Sequence, residues 1–183
     1  TLTMKTNQKY FPVFNRNTGL TNSFIIVSNI SPKNSDQVIH GNEKVIRPRL
    51  ADAEFFYDED KKLGLTTFCK KLENVIYHHK LGSQKDRAER VAHKLLYLTK
   101  NLNLKFNIDP MELSLFSKAD LLSLMVGEFP KLQGIMGRYY ALNENKNESF
   151  ANAIEDHYKP RFSNDSLPRD ELGFMLAIAD KFT

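Results

Sequence analysis

With 183 residues, 41% of them hydrophobic and 26% charged, the chain has an ordinary globular composition and the length for one large domain or one and a half small ones. No apolar run approaches the roughly 18 residues that a membrane-spanning helix needs, and a formal net charge of +4 permits a polyanionic partner without demanding one. The single cysteine, Cys69, excludes an internal disulfide and fits a reducing cytoplasm. Its neighbourhood, Thr67-Phe68-Cys69-Lys70, reads as that of a packed or semi-exposed structural thiol.

In chain order, Lys9 to Phe14 is rich in strand formers and Asn15-Arg16-Asn17-Thr18-Gly19 is a turn by composition. Phe24 to Ser28 follows as a second strand, expected to be buried on both faces. Pro12 marks the first strand as an edge or bulge. Tyr10 and Phe11, interleaved with Lys5 and Lys9, have the pattern of a base-stacking surface but read rather as the inward aromatic face of that strand. A lone hairpin is marginal in water, so it is expected to complete a larger sheet or to pack on helices. Ser31 to Ser35 is a loop, and Ser35 or Asp36 caps a helix to about Val45.

Val45-Ile46-Arg47-Pro48-Arg49-Leu50 forms a junction at which proline should stop the helix and hold Arg47 extended. Arg47 and Arg49 are candidates for phosphate contacts, or for ion pairs with Asp52, Glu54 or Asp58. The following charge run, Asp58 to Lys62, reads as a solvated helix face. Leu65, Phe68, Leu72, Val75 and Ile76 have helical spacing up to His79. Gly82 is a helix end and Ser83 a cap for the next helix, striped by Val91, Leu95, Leu96 and Leu98 to about Lys100. Lys80, Lys85, Arg87 and Arg90 around Gly82 read as the most exposed basic cluster.

Asp109-Pro110 is a strong helix start, with an apolar pattern running from Met111 to Phe129. Leu132 to Leu142 carries Gly134 and Gly137, which permit close packing. Glu148–Tyr158 and Glu171–Lys181 are the last two helices. The fold class is mainly α with a small β part (α+β): a partial β/α domain over residues 1–49, then a helical domain over 50–183.

No local motif announces a catalytic centre. The five histidines (His40, His78, His79, His93 and His157) show no HxxxH or HExxH spacing and read as solvent-facing or capping residues. Gly-rich phosphate loops and nucleophile elbows are absent, and pairs such as Asp120 and Glu128 read as coincidences of a charged chain.

Several long segments resemble the beta subunit of the bacterial two-subunit glycyl-tRNA synthetase: Met4 to Val13, Gly41 to Phe56, Leu132 to Ala141, His157 to Phe162 and Ala179 to Lys181, in that order. The resemblance implies an internal piece of a longer subunit, in keeping with the missing initiator methionine. It also implies service in forming glycyl-tRNA from ATP, glycine and tRNA, in an alpha2beta2 heterotetramer of the cytoplasm. ATP and magnesium would be used by the alpha subunit, so no cofactor and no catalytic residue are expected in this chain. The implied partners are the alpha subunit and tRNA(Gly), with Arg47, Arg49, Lys80, Lys85, Arg87 and Arg90 as candidate RNA contacts.

A second resemblance, from Arg87 to Thr183, is to the helical HD phosphohydrolase fold. Its signature positions fall on His93, Ser117, Lys118, His157 and Asp180. With Ser117-Lys118 in place of the central His-Asp pair, it implies a bundle that has lost its metal. The alternative function is a metal-dependent phosphohydrolase using His93, His157 and Asp180.

Overall fold

The computed structural model describes residues 4–5, 9–29, 31 and 33–183. Residues 6–8 of the Met4 to Val13 segment, and Pro32 of the Ser31 to Ser35 loop, lie outside the described residues. The chain divides into two compact units, Thr1–Phe55 and Phe56–Thr183.

In the first unit, strands β1 (Phe11–Asn15) and β2 (Gly19–Ile25) pair antiparallel, with Pro12 opposite Phe24 and an irregular register between Pro12 and Phe14. The second strand therefore ends where the sequence pattern suggested that it begins. Residues 26–28 are not strand, and the apolar run is not enclosed: Ile25 is 57% and Val27 76% exposed. Two strands bury only one face at most, so a β-branched run at the edge stays wet. Tyr10 is the inward aromatic, stacked on Phe24 at 5.2 Å and donating to Asn42 Oδ1 at 2.5 Å. Phe11 faces out.

Helix α1 (Ser35–Leu63) runs 29 residues without a break and contains Pro48. The expected extended junction at Arg47-Pro48-Arg49 is thus helical. Proline forfeits one main-chain hydrogen bond and crowds the carbonyl four residues back; the turns on both sides nevertheless continue the helix.

The second unit holds the end of α1 and seven more helices: α2 (Leu65–Lys71), α3 (Gln84–Asn101), α4 (Pro110–Ala119), α5 (Leu124–Glu128), α6 (Ile135–Asn143), α7 (Glu148–Asp156) and α8 (Glu171–Lys181). Two short strands, β3 (Ile76–His78) and β4 (Gly82–Ser83), form a small antiparallel ladder. The helix expected to reach His79 stops at Asn74, because Val75-Ile76-Tyr77 prefers extended backbone and Gly82, at φ +88°, closes the hairpin instead of ending a helix. The starts of α3 and α4 are as the sequence indicates. Ser83 and Asp86 form a reciprocal capping box, and Asp109 caps α4 through Met111 N–H at 2.9 Å.

The pattern from Met111 to Phe129 is two helices separated by a 3-10 turn at Asp120–Leu122. Ser123 adopts extended backbone and its Oγ accepts from Val126 N–H at 3.1 Å, so it starts a new helix. Helix α4 is central: it packs on α2, α3, α6 and α7, while α8 closes on α3 and α7. Leu65, Leu72, Val91, Leu95, Leu113, Tyr140, Ile154 and Leu176 are fully buried between these layers. Each apolar side chain of that size contributes roughly 1.5–3 kcal/mol.

Candidate functional site: a buried lysine centre and its basic surroundings

The C-terminal turn of α4 carries Lys118 into the bundle interior, where its side chain is 2% exposed. Nζ lies 2.8 Å from His157 Nε2, at the end of α7, and 3.0 Å from Asp180 Oδ1, on α8. His157 Nδ1 lies 2.7 Å from the Ile154 carbonyl. A carbonyl only accepts, so Nδ1 bears the proton and Nε2 accepts from the lysine. Burial, then the charge of Lys118, keep the imidazole well below its ordinary pKa and hence neutral. Burial lowers Lys118 to about 8 against the attraction of Asp180. Arg87 completes the cluster, with Nη2 3.0 Å from Asp180 Oδ1 and its guanidinium 4.5 Å from the Tyr77 ring centre.

Two residues beyond Lys118, Asp120 is fully enclosed. Its Oδ2 accepts from Gly134 N–H at 2.6 Å and Gly137 N–H at 3.1 Å. Burial raises its carboxyl to about 6, against those two bonds. The glycines matter at this point. A Cβ on Gly137 would stand 2.7 Å from Ile154 Cγ2 and 3.2 Å from Asp120 Oδ2, and Gly134 has φ +80°. At the last residue of α7, beside His157, burial opposes the charge on Asp156, yet bonds from Arg169 and Lys159 hold its carboxyl below the ordinary value.

Of the HD-type positions, the structure joins Lys118, His157 and Asp180. It leaves the other two outside their contacts: Ser117 is buried and bonds the Ser114 carbonyl at 2.7 Å, while His93 is exposed on α3. Of the two expectations for His157, solvent-facing or capping, the second holds: it is the C-cap of α7, but it is buried beside an ammonium, which makes it an internal acceptor. This donor set does not fit a divalent metal, because the ammonium already lies in hydrogen-bonding reach of both groups that would ligate it and repels a second cation. Cys69 is half-buried, and burial pushes its thiol up to about 12, which disfavours the thiolate.

The basic group around Gly82 is not uniformly exposed. Lys80 faces solvent, Lys85 Nζ pairs with Glu73 at 3.2 Å, and Arg90 Nη1 donates to the Leu81 carbonyl at 2.9 Å. Arg87 turns inward, because Asp180 and the Tyr77 ring offer it a desolvated pair of partners. In the first unit, Arg47 pairs with Glu43 at 3.4 Å, one turn back, a partner that the sequence did not point to. Arg49 is exposed two positions along α1. Helical residues two apart do not face each other, so the two arginines cannot converge on one phosphate.

Sequence reasoning missed Asp60, Asp120 and Arg169. Asp60 lies within the supposed solvated run yet is fully buried. It accepts from Leu124 N–H at 2.8 Å, Met125 N–H at 2.9 Å and Tyr140 O–H at 2.8 Å. The available signal was the capping logic of Ser123, which announces a helix start needing acceptors.

A protein family described as glycyl-tRNA synthetase beta subunit matches residues 1–183. The glycine–tRNA ligase beta subunits of Janthinobacterium sp. (strain Marseille) and Polaromonas naphthalenivorans (strain CJ2) are 51% and 52% identical over 183 residues, covering 98% of this chain and 26% of those proteins. That of Nitrosomonas eutropha (strain DSM 101675 / C91 / Nm57) is 53% identical over 182 residues, covering 98% of this chain and 25% of that protein. The chain spans about a quarter of the length of these curated relatives.

Proposed function

The chain belongs to the glycyl-tRNA synthetase beta subunit family, and from that premise we propose that it serves glycyl-tRNA formation by holding tRNA(Gly) and supporting subunit assembly. On this reading it contributes no adenylate chemistry; the alpha subunit uses ATP and magnesium. The assembly is a cytoplasmic alpha2beta2 heterotetramer. The observation that carries the non-catalytic reading is the Lys118 ammonium between His157 and Asp180, which occupies the one place where the HD-type alternative would need a metal. Among the described residues, no helix is long and apolar enough to cross a membrane.

Binding of this kind rests on phosphate contacts and shape, because the deep groove of an RNA stem hides its base edges. Arg47 and Lys85 suit it: their ion pairs are exposed, hence weak and exchangeable for phosphate. The test is anisotropy of labelled tRNA(Gly) on the full-length beta subunit between 50 and 200 mM salt. R47E combined with K85E should weaken binding and flatten its salt dependence by roughly 1 per lost contact. Unchanged affinity and slope would remove both residues from the RNA surface. A stoichiometric transition metal in the purified subunit would revive the phosphohydrolase alternative.

A further inference from the structure

An open recess of about 540 Å³ in the second unit is lined by Pro130, Lys131, Gln133, Tyr158, Pro160 and Arg161. Its volume falls within the roughly 300–1,000 Å³ of small-ligand sites. Tyr158 is held from two sides: Lys118 Nζ lies 4.7 Å from its ring centre, and its hydroxyl oxygen accepts from Gln133 Nε2 at 2.6 Å. The recess is therefore backed by the buried lysine centre and has a fixed aromatic wall.

The charge around it is uneven. Inside, the positive Lys118 and Arg87 are offset by Asp180 and by Asp120. At the mouth, Lys131 is exposed, and among the described residues no hydrogen bond or ion pair ties its ammonium. The Arg161 guanidinium lies 5.9 Å from the Tyr158 ring and makes only a 3.4 Å contact to the Gln133 carbonyl. Asp165 commits its oxygens to the main chain, Oδ2 accepting from Arg161 N–H and Oδ1 from Ser166 N–H, both at 2.8 Å, and attracts the guanidinium only through space. Two cations thus border a pocket whose walls are two prolines, an amide and a phenol.

We propose that this recess takes one phosphate-bearing nucleotide unit, with Lys131 and Arg161 on the phosphate and Pro130, Pro160 and the Tyr158–Gln133 edge against sugar and base. Arginine's planar fork matches phosphate oxygens, and flat apolar or aromatic surfaces accept a base without regard to its identity. Inorganic phosphate would use the cations and leave the walls idle. The inference rests on the tRNA-holding reading for its source of nucleotide, a strand of RNA, and the shared chemistry also admits a free nucleotide.

The experiment uses the full-length beta subunit with labelled tRNA(Gly) and, separately, AMP observed by saturation-transfer NMR. K131Q/R161Q should lower tRNA affinity about tenfold and reduce the salt slope by roughly 1, with unchanged thermal melting, while K131R/R161K keeps the slope. If AMP binding alone is lost in K131Q/R161Q and the tRNA slope is unchanged, the nucleotide is free and the recess chemistry stands. If neither probe separates the glutamine variant from wild type, the recess is not a nucleotide site. Failure of the wild-type subunit to bind tRNA at any salt would overturn the tRNA-holding function, and AMP would then decide the recess by itself.

Discussion

Lys118 and Asp120 sit two residues apart, both enclosed, and titrate in opposite senses. Asp120 is raised to about 6 from an ordinary 3.8. Between those values the folded chain keeps a proton that the unfolded chain has released. This contribution favours folding at low pH and is lost as pH rises through 6. Two pKa units at 1.36 kcal/mol each make the ionised carboxylate cost about 3 kcal/mol at pH 7.5. For Lys118, lowered to about 8, the contribution is present above 10.5 and lost as pH falls through 8. Asp120→Asn keeps an oxygen for Gly134 and Gly137 and puts an amide where Oδ1 has no hydrogen-bond partner among the described residues. Urea denaturation should therefore find it as stable as wild type or up to about 3 kcal/mol more stable at pH 7.5, with no change between pH 4 and 6 from this site. A loss above about 1 kcal/mol at pH 7.5 would mean that attraction to Lys118 outweighs the burial of the charge.

At the scale of elements, α5 depends on a residue 64 positions away. Its five residues cannot hold a helix by propensity; Asp60 supplies acceptors for two of its first N–H groups and for Tyr140. Asp60→Ala would leave Met125 N–H and Tyr140 O–H buried without a partner and Leu124 N–H part-buried, and should cost about 3–5 kcal/mol. Asp58→Ala, at an exposed position, should stay within about 0.5 kcal/mol; equal effects in chemical denaturation would refute the role given to Asp60. The contrast shows what could be read beforehand. The starts of α3 and α4 were legible because Ser83 and Asp109 cap their own chain within three residues. The burial of Asp60 was not, because a carboxylate in a charge run looks the same whether its partners are water or amides far along the sequence. Pro48 misled for a related reason: the rule for proline is local, and the continuation of α1 past it is not. Lys118 was legible only as an anomaly, a lysine where a metal-binding pattern wants a carboxylate; its partners His157, Tyr158 and Asp180 needed the fold.

Across the whole molecule, burial is unevenly shared. The described residues of the first unit bury only two large apolar side chains, Tyr10 and Ile46, and leave Phe11, Phe14, Leu20, Ile25 and Val27 more than half exposed. The second unit encloses eight large side chains completely, together with its buried polar network. At roughly 1.5–3 kcal/mol per enclosed apolar residue, the first unit gains far less from burial than the second, which has a core of domain size. The units should then differ as isolated proteins. Residues 56–183 retain Asp60 with its α5 and Tyr140 partners, and every member of the Lys118 centre. That protein should be helical by circular dichroism and unfold in urea in one sigmoidal transition. Residues 1–55 alone should show a shallow, non-cooperative loss of signal. A cooperative transition in the shorter protein would mean that its hairpin and helix hold a core of their own, and a featureless one in the longer would mean that the buried lysine centre needs the first unit to form.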